Sequence, residues 1–300
     1  MLKRLHIYLK EMLPLYQIVL TGVILFFEIY FLIIFITDVD HFSVGIQEIV
    51  GCFTVCAFML SLRIADDFKD LKTDRILFPN RPLPSGRVKI SDLVTLLVVV
   101  NVIAISGNIA FMNNLAYYAV LMVYGTLMSV WFFARTKIQK NLFLALITHN
   151  PVDVIVNIYI ISFTCIKYDL PILTFNNLLI AFTLYWPTLI WEIARKTRAP
   201  RDETEYVTYS KLYGYVKVTW IILFIVTLDL VTSARLMYEL WAPGLVAVVA
   251  AWAWFVWRCW KFIKDPTSLK LVNQIEIYEL ITEVPVIAIE VVYILARSIP

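Results

Sequence analysis

The sequence predicts an all-α integral membrane protein, a bundle of nine transmembrane helices with a cytoplasmic-side active site. Of its 300 residues, 61% are hydrophobic and only 16% are charged, whereas about 25% of a typical soluble domain is charged. The apolar residues form nine runs, each near the roughly 20 residues that cross a bilayer. Because lipid cannot satisfy the hydrogen bonds of an irregular backbone, these runs are predicted to be helices.

The nine apolar runs follow one another without a linker, a low-complexity segment or a separate soluble region. We therefore expect residues 1–300 to form a single transmembrane domain. The predicted spans are, in chain order, 14–37, 44–64, 91–112, 115–134, 141–165, 173–193, 215–237, 242–263 and 276–297.

The Lys and Arg residues fall almost entirely on one side of the predicted spans. If the N-terminus is cytoplasmic, 23 of the 26 basic residues lie in cytoplasmic segments. Because cytoplasmic loops carry an excess of Lys and Arg, we expect a multi-pass protein with a cytoplasmic N-terminus and a C-terminus on the opposite side. The charged loops 63–90 and 192–214 then share the cytoplasmic side.

Charge and cysteine content argue against two other classes of protein. The net charge of +3 is small, so no nucleic-acid partner is expected. The four cysteines do not have the pattern of a disulfide framework. Cys52 and Cys56 lie inside an apolar run and are interpreted as helix-packing residues. The sequence makes no prediction about the oligomeric state.

An acidic cluster directly follows the second predicted span. Asp66, Asp67, Asp70 and Asp74 lie within nine residues, and if the helix continues through them they share one face. Such a cluster repels itself unless a cation is bound, and Mg²⁺ prefers one or two carboxylates together with substrate phosphates. The cluster therefore predicts a platform for a metal and a diphosphate, although a solvated acidic helix end is the alternative. The neighbouring bases are candidates for binding phosphate oxygens: Arg75, Arg81, Arg87 and Lys89.

A Pro-rich segment completes this motif. Residues 80–86 read Asn-Arg-Pro-Leu-Pro-Ser-Gly. Together with the acids, the segment resembles the first aspartate motif of the UbiA superfamily of intramembrane prenyltransferases, Asn-Asp-x-x-Asp-x-x-x-Asp followed by Asn-Arg-Pro-Leu-Pro-Ser-Gly. Asp66 stands where the family usually has Asn, and the other three acids match. Nine helices with acidic loops after the second and sixth are also the arrangement of that family.

The resemblance implies a function and a set of site residues. It implies Mg²⁺-dependent transfer of a prenyl group from an isoprenyl diphosphate to a small-molecule acceptor, usually an aromatic one, within the lipid membrane. The predicted catalytic residues are Asp66, Asp70, Asp74 and Glu192. The predicted metal ligands are Asp66, Asp67, Asp70, Asp74 and Asp202.

The loop after the sixth predicted span departs from the family pattern. Glu192 takes the position of the usual helix-end aspartate, and Asp202 is the first of three later acids, the others being Glu203 and Glu205. The usual Asp-x-x-x-Asp is absent, and four bases stand in its place: Arg195, Lys196, Arg198 and Arg201. Because bases neutralise phosphate charge as a metal does, Lys196 and Arg198 are predicted to bind the diphosphate, and a second Mg²⁺ is left open. Cytoplasmic charge bias alone is the alternative explanation.

Further substrate contacts are predicted in the fourth loop and the fifth span. The resemblance implies that a base of the loop 135–140 contacts the diphosphate, and Lys137 is predicted for this role along with Arg81 of the first motif. Asn150, Asp153 and Asn157 follow helical spacing and would place one polar face towards an acceptor. Hydrogen bonding between helices is the alternative for that face.

Three other functions stay open at this stage. A membrane terpene cyclase of the same fold would ionise the same diphosphate and capture the cation internally. A non-catalytic transporter or lipid-binding protein would use the acids as an ion site, although transporter sites usually lie at mid-membrane. A phosphatidyl-type alcohol transferase also uses clustered aspartates, but its Asp-Gly and Ala-Arg spacing is missing from this sequence.

Overall fold

A computed structural model describes residues 1–12 and 14–298 of the chain. The described residues form α-helices and three short 3₁₀ helices joined by turns and loops, and they contain no β-strand. The helices are, in chain order, α1 (Leu2–Glu11), α2 (Leu15–Ile36), α3 (Ile46–Leu77), α4 (Ile90–Phe111), α5 (Leu115–Ser129), α6 (Arg135–Lys140), α7 (Leu142–His149), α8 (Val152–Lys167), α9 (Phe175–Thr183), α10 (Trp186–Arg195), α11 (Tyr209–Tyr213), α12 (Tyr215–Trp241), α13 (Leu245–Lys264) and α14 (Leu271–Ser298).

Each predicted span coincides with one helix or with two consecutive helices. Among the described residues, six stretches are long and apolar enough to cross a bilayer. They are Leu15–Ile36, Ile46–Leu77, Ile90–Phe111, Leu142–Lys167, Phe175–Arg195 and Tyr215–Lys264. The last of them contains both α12 and α13, which are joined by a 3₁₀ turn. The chain is therefore a multi-pass membrane protein, whereas the count of nine spans and the orientation of the termini stay predictions.

The helices are distributed over two compact units. The first unit comprises Met1–Tyr30, Asp40–Arg135 and Ile158–Leu170, and the second comprises Phe31–Val39, Thr136–Asn157 and the chain from Pro171 onwards. The expectation of a single transmembrane domain over residues 1–300 stays a prediction.

The second span is longer than the hydropathy of the sequence indicates. The predicted span ends at residue 64, whereas α3 continues to Leu77. No Gly or Pro interrupts residues 65–77, so the helix continues beyond its apolar part. Phe78 leaves the helical conformation because it precedes Pro79, which disfavours that conformation in the residue before it.

Proline also divides the fifth span. Pro151 separates α7 from α8, since proline lacks a backbone N–H and clashes with the preceding helical turn. In the sixth span, α9 ends at Thr183 and α10 begins at Trp186, with Pro187 in its first turn. A proline is well tolerated there because the first N–H groups of a helix have no partner within it.

The core of the first unit near the N-terminus brings α1 onto α3. Leu5 and Tyr8 of α1 are buried with Ile64 of α3, Leu83 of the following loop and Leu93 of α4. Burying a large apolar side chain contributes about 1.5–3 kcal/mol, so these contacts hold α1 beside the acidic end of α3.

The core of the second unit supports the end of α10. Ile190 and Ile193 of α10 are buried in one cluster with Ile222 of α12, Phe255 of α13 and Tyr278 of α14. The Phe255 and Tyr278 rings lie 5.3 Å apart between centroids, within the range of a favourable aromatic pair. This packing fixes the helix whose last turn carries Glu192.

Candidate functional site

The first acidic motif lies on one continuous helix. α3 runs through Asp66, Asp67, Asp70 and Asp74, which confirms the predicted helical spacing of the four acids. Asp67 and Asp74 are buried, Asp66 is partly buried and Asp70 is exposed. The four carboxylates therefore share a helix face but differ in their access to solvent.

Asp74 is held by the Pro-rich segment that follows α3. Arg81 Nη1 donates a hydrogen bond to Asp74 Oδ2 at 2.8 Å. The Arg81 guanidinium lies over the Phe78 ring, 3.9 Å from its centroid, a distance at which a cation is attracted to an aromatic face. The acidic and Pro-rich halves of the motif are thus in direct contact.

Asp67 is held by two side chains. The Tyr8 hydroxyl donates a hydrogen bond to Asp67 Oδ2 at 2.5 Å, and Arg63 Nη2 lies 3.2 Å from Asp67 Oδ1. Burial, followed by the charge of Asp67, raises the pKa of the Tyr8 phenol. The phenol therefore stays protonated at neutral pH and acts as a donor.

Asp66 and Asp70 are more exposed to solvent than the two buried acids. Lys69 Nζ lies 3.0 Å from Asp66 Oδ1 and also lies over the Trp131 ring, 5.2 Å from its centroid. Asp70 makes no hydrogen bond or ion pair with any described residue. Asp70 is therefore the acid whose oxygens are most accessible to a ligand.

These acids fit Mg²⁺ as ligands shared with a substrate. Within residues 1–12 and 14–298, no three His, Cys, Asp or Glu side chains are arranged to hold a metal ion by themselves. Mg²⁺, however, is commonly held by one or two carboxylates together with phosphate oxygens. The exposed carboxylate of Asp70 and the half-exposed one of Asp66 are suitable oxygen donors, and the assignment of all four aspartates as metal ligands stays a prediction.

Two cavities adjoin α3 in the first unit. One, of about 530 Å³, is lined by Arg63, Arg81, Phe78 and Asn80, among others. Because Arg63 contacts Asp67 and Arg81 contacts Asp74, this cavity brings two guanidinium groups together beside the acids. The other, of about 690 Å³, is largely apolar and lies among α3, α4 and α5. Both volumes are typical of small-molecule sites.

The conformation of the Pro-rich loop depends on a glycine turn and on hydrogen bonds within the loop. Gly86 has φ +78°, a backbone conformation that glycine adopts at little cost and most other residues avoid. The turn directs Arg87 back along the loop, where its Nη2 donates to the Asn80 carbonyl at 2.6 Å. Val88 N closes the loop by donating to the Pro82 carbonyl at 3.0 Å.

In the second unit, Glu192 lies in the last turn of α10, at the helix-end position predicted for it. Arg195 Nε donates to Glu192 Oε2 at 2.5 Å, and Lys196 Nζ lies 2.8 Å from Glu192 Oε1. The Lys196 ammonium also lies over the Tyr209 ring, 5.9 Å from its centroid. Glu192 is thus a carboxylate paired with two cations.

The later acids of the second loop have different surroundings. Glu203 accepts hydrogen bonds from Ser210 Oγ at 2.5 Å and from Thr208 Oγ1 at 2.7 Å. Ser210 Oγ in turn accepts from the Arg198 backbone N–H at 2.8 Å. Asp202 is exposed and lies 3.6 Å from Arg201 Nε. Glu203 therefore stabilises the loop, and the predicted metal ligand Asp202 has no acidic partner in a metal-binding arrangement among the described residues.

The predicted polar face of the fifth span is divided by the break at Pro151. Asn150 forms the C-cap of α7, and Asp153 lies in the first turn of α8. Asn157 is buried and donates to the Ala181 carbonyl at 3.0 Å, so hydrogen bonding between helices is the role the structure shows for this residue. Lys137 is exposed on α6. The substrate roles of Asn150, Asp153 and Lys137 stay predictions.

Two partners of the first motif, Arg63 and Tyr8, are not among the predicted site residues. Arg63 lies four residues before Asp67, a spacing that predicts a contact on one helix face and was available as a signal. Tyr8 lies 59 residues from Asp67, and no local pattern predicts a contact over that separation.

Comparison with known proteins extends these observations to the whole fold. No protein-family model matches the sequence, and no curated protein matches it. A solved structure described as digeranylgeranylglyceryl phosphate synthase in membranes matches with a TM-score of 0.68 and 17% sequence identity, covering 96% of this chain and 98% of that chain. The chain thus has a membrane-embedded, UbiA-like fold, which confirms the predicted resemblance at the level of the fold.

Proposed function

We propose that the protein transfers a prenyl group from an isoprenyl diphosphate to an acceptor within the membrane and requires Mg²⁺. The observation that carries this proposal is that two arginines lining one cavity, Arg63 and Arg81, are each paired with an acid at the end of α3. Carboxylates that accept Mg²⁺ and guanidinium groups that accept phosphate oxygens are the two chemistries that a magnesium diphosphate requires.

The side chains of the first unit would divide this work. Arg63 and Arg81 would bind the diphosphate oxygens, with the planar guanidinium group offering two parallel N–H donors. Asp66, Asp67, Asp70 and Asp74 would hold Mg²⁺, with the more accessible oxygens on Asp66 and Asp70. When bound, Mg²⁺ neutralises the charge that develops on the departing diphosphate.

In the proposed reaction, the bond between the allylic carbon and the diphosphate oxygen breaks, and the diphosphate leaves with the electron pair. A carbon or oxygen atom of the acceptor forms a new bond to that carbon and loses a proton to solvent or a neighbouring base. The apolar helices around the site would keep water away from the allylic cation.

Further site residues belong to the proposal on the strength of the resemblance. The reaction is proposed to take place on the cytoplasmic side with an aromatic acceptor. The residues proposed to contribute to catalysis, substrate binding or metal binding are Lys137, Asn150, Asp153, Glu192, Lys196, Arg198 and Asp202. The name of the structural neighbour refers to a glyceryl phosphate product, so a prenylated glyceryl phosphate is a second acceptor class to test.

The test uses the purified protein in detergent with Mg²⁺ and prenyl diphosphates of several lengths. Pyrophosphate release is measured and the lipids are analysed by mass spectrometry, first without an acceptor and then with an aromatic or a glyceryl phosphate acceptor. Turnover that depends on an acceptor is expected. A cyclic hydrocarbon formed without any acceptor would identify a terpene cyclase instead, and neither binding nor turnover with any donor would contradict both enzymatic functions.

A matched pair of variants tests the metal platform. Asp70→Asn removes the charge of the accessible acid on α3, and Asp40→Asn removes that of an exposed acid outside the motif. Asp70→Asn is expected to abolish pyrophosphate release without lowering the thermal stability, because Asp70 has no hydrogen-bond or ion-pair partner among the described residues. Retained activity in Asp70→Asn would contradict the platform, and Asp40→Asn serves as the active control.

A further inference from the structure

Helix α1 is joined to the first motif by polar contacts along one of its faces. Arg4, Tyr8 and Glu11 are spaced by four and three residues and therefore point to the same side of the helix. Arg4 forms two hydrogen bonds with Asp92 at the start of α4, at 2.6 and 2.8 Å. Glu11 accepts two from Arg87 of the Pro-rich loop, also at 2.6 and 2.8 Å. α1 thus spans the elements that surround the acids.

The central contact of this face reaches the acidic motif itself. Tyr8 is 0% exposed and Asp67 is 6% exposed, and the Tyr8 hydroxyl lies 2.5 Å from Asp67 Oδ2. Leu5, Ile64 and Leu93 are buried in the same cluster as Tyr8. The phenol ring is therefore held by packing, so its hydroxyl presents a donor to Asp67 at a fixed position.

We propose that Tyr8 is a positioning residue of the diphosphate site, that it acts through Asp67, and that α1 holds it in place. The inference rests on the proposed function, because it assigns Tyr8 a role in the Mg²⁺–diphosphate binding described above. Tyr8 does not itself contact substrate in this role. It orients Asp67 and shares the negative charge of that carboxylate.

The proposed role of Tyr8 has its physical basis in the repulsion between the like charges on α3. Four carboxylates on one helix face repel one another, and a carboxylate without an orienting donor is free to rotate away from its neighbours. A hydrogen bond from Tyr8 and an ion pair with Arg63 fix both oxygens of Asp67. The acids are then arranged before the metal and the diphosphate bind. Loss of a hydrogen-bond partner that orients a metal-site residue typically costs 10–100-fold in metal affinity.

The experiment compares two Tyr→Phe variants that each remove a single hydroxyl. Tyr8→Phe removes the donor to Asp67, whereas Tyr16→Phe removes the hydroxyl of a side chain that is 68% exposed. Binding of a non-hydrolysable prenyl thiodiphosphate is measured as a function of Mg²⁺ concentration. Tyr8→Phe is expected to require about tenfold more Mg²⁺ for half-maximal binding, and Tyr16→Phe is expected to bind as the wild type does.

A double-mutant cycle separates positioning from a general loss of structure. If Tyr8 acts through Asp67, the effect of Tyr8→Phe on the Mg²⁺ requirement disappears in an Asp67→Asn background. A purely structural role would weaken binding by the same factor in both backgrounds. Thermal unfolding of each variant in detergent verifies that the compared proteins are folded.

A second variant tests the role of α1 without changing the buried side chains of that helix. Arg4→Gln breaks the contact with Asp92 and leaves Tyr8 and the acids unchanged, so a smaller shift of the Mg²⁺ requirement in the same direction is expected. This variant keeps the inference testable if Tyr8→Phe does not fold. An unchanged Mg²⁺ requirement in Arg4→Gln would overturn the role of α1.

The outcomes distinguish this inference from the proposed function. If the wild type binds the thiodiphosphate and Tyr8→Phe binds it with the same Mg²⁺ dependence, the positioning role is overturned and the proposed function stands. If the wild type does not bind the thiodiphosphate at any Mg²⁺ concentration, both are overturned. A Mg²⁺ shift that vanishes in the Asp67→Asn background supports both.

Discussion

Arg81 and Asp74 form the contact that joins the two halves of the first motif. Arg81 Nη1 lies 2.8 Å from Asp74 Oδ2, and only 11% of the Asp74 side chain is exposed. Asp74 is the last acid of α3, and Arg81 belongs to the Asn-Arg-Pro-Leu-Pro-Ser-Gly segment. The acidic run and the Pro-rich segment are thus parts of one structural unit, in which the loop supplies the counter-charge for the helix.

This contact predicts a coupled effect on stability. Arg81→Ala leaves the buried carboxylate of Asp74 without a partner, which is expected to destabilise the protein by about 1–3 kcal/mol. Arg81→Ala in an Asp74→Asn background removes both charges, so a smaller loss is expected. The measurement is thermal unfolding in detergent. Additive losses in the double variant would contradict a direct interaction between the two side chains.

A substitution of Arg81 can separate the effect of its positive charge from the effect of its planar guanidinium group. Arg81→Lys keeps the positive charge but loses the planar group that binds phosphate oxygens through two donors. We expect Arg81→Lys to raise the KM for the prenyl diphosphate more than about tenfold, an order of magnitude consistent with losing one charge-assisted hydrogen bond. The KM is obtained from pyrophosphate release at varied donor concentration, with Arg235→Lys as the matched control at an exposed arginine outside the motif. Equal KM values for Arg81→Lys and the wild type would exclude bidentate binding.

Glu203 predicts a loss of stability in the second loop. Its two carboxylate oxygens accept hydrogen bonds from Ser210 and Thr208, and hydrogen bonds to a charged group contribute about 1.5–3 kcal/mol. Glu203→Gln is therefore expected to lower the thermal unfolding temperature, whereas the matched change at the exposed Glu205 is expected to leave it unchanged. A stable Glu203→Gln variant that has lost activity would instead support a direct role of Glu203 in binding.

The Glu11–Arg87 pair predicts a dependence of stability on pH. The hydrogen bonds from Arg87 lower the pKa of Glu11, so the pair stabilises the folded protein above the usual pKa of about 4.3. This contribution is lost as the pH falls below that value and Glu11 becomes protonated. Because both side chains are 42% exposed, the effect is expected to be small and to weaken at high salt.

The measurement for this pair is the difference in unfolding temperature between the wild type and Glu11→Gln at several pH values. Taking the difference removes the contribution of the other acids that titrate in the same range. The difference in unfolding temperature in favour of the wild type is expected to disappear as the pH falls from about 5 to about 3. A difference that does not change with pH would show that Glu11 makes no contribution through its charge.

The sequence predicted the positions of the helices well because membrane insertion imposes a simple rule on composition. An apolar run of about 20 residues has few alternatives to a helix across the bilayer, and helices occur at each of the predicted runs. The ends were less accurate. α3 extends 13 residues beyond residue 64, since helix propensity continues after hydropathy has ended.

The sequence predicted only part of the candidate site. Relationships between residues close together in the chain were predicted, whereas contacts between distant residues were not. The helical spacing of Asp66, Asp70 and Asp74 follows from sequence separation alone and is confirmed. In the second loop, the structure adds a relationship that sequence separation does not give: Glu203, a candidate acid of the site, accepts hydrogen bonds from Thr208 and Ser210. Sequence order does not reveal which hydroxyl groups turn back towards a carboxylate.

By itself, the sequence determined the class of protein, the helical elements and the motif on α3, because hydropathy and helical periodicity act over short separations along the chain. Only the tertiary structure decided which acids are engaged and which are accessible. Asp67 is engaged by Tyr8, 59 residues away, whereas Asp70 has no such partner among the described residues. That difference depends on the packing of α1 against α3, and packing between distant segments leaves no periodic pattern in the sequence.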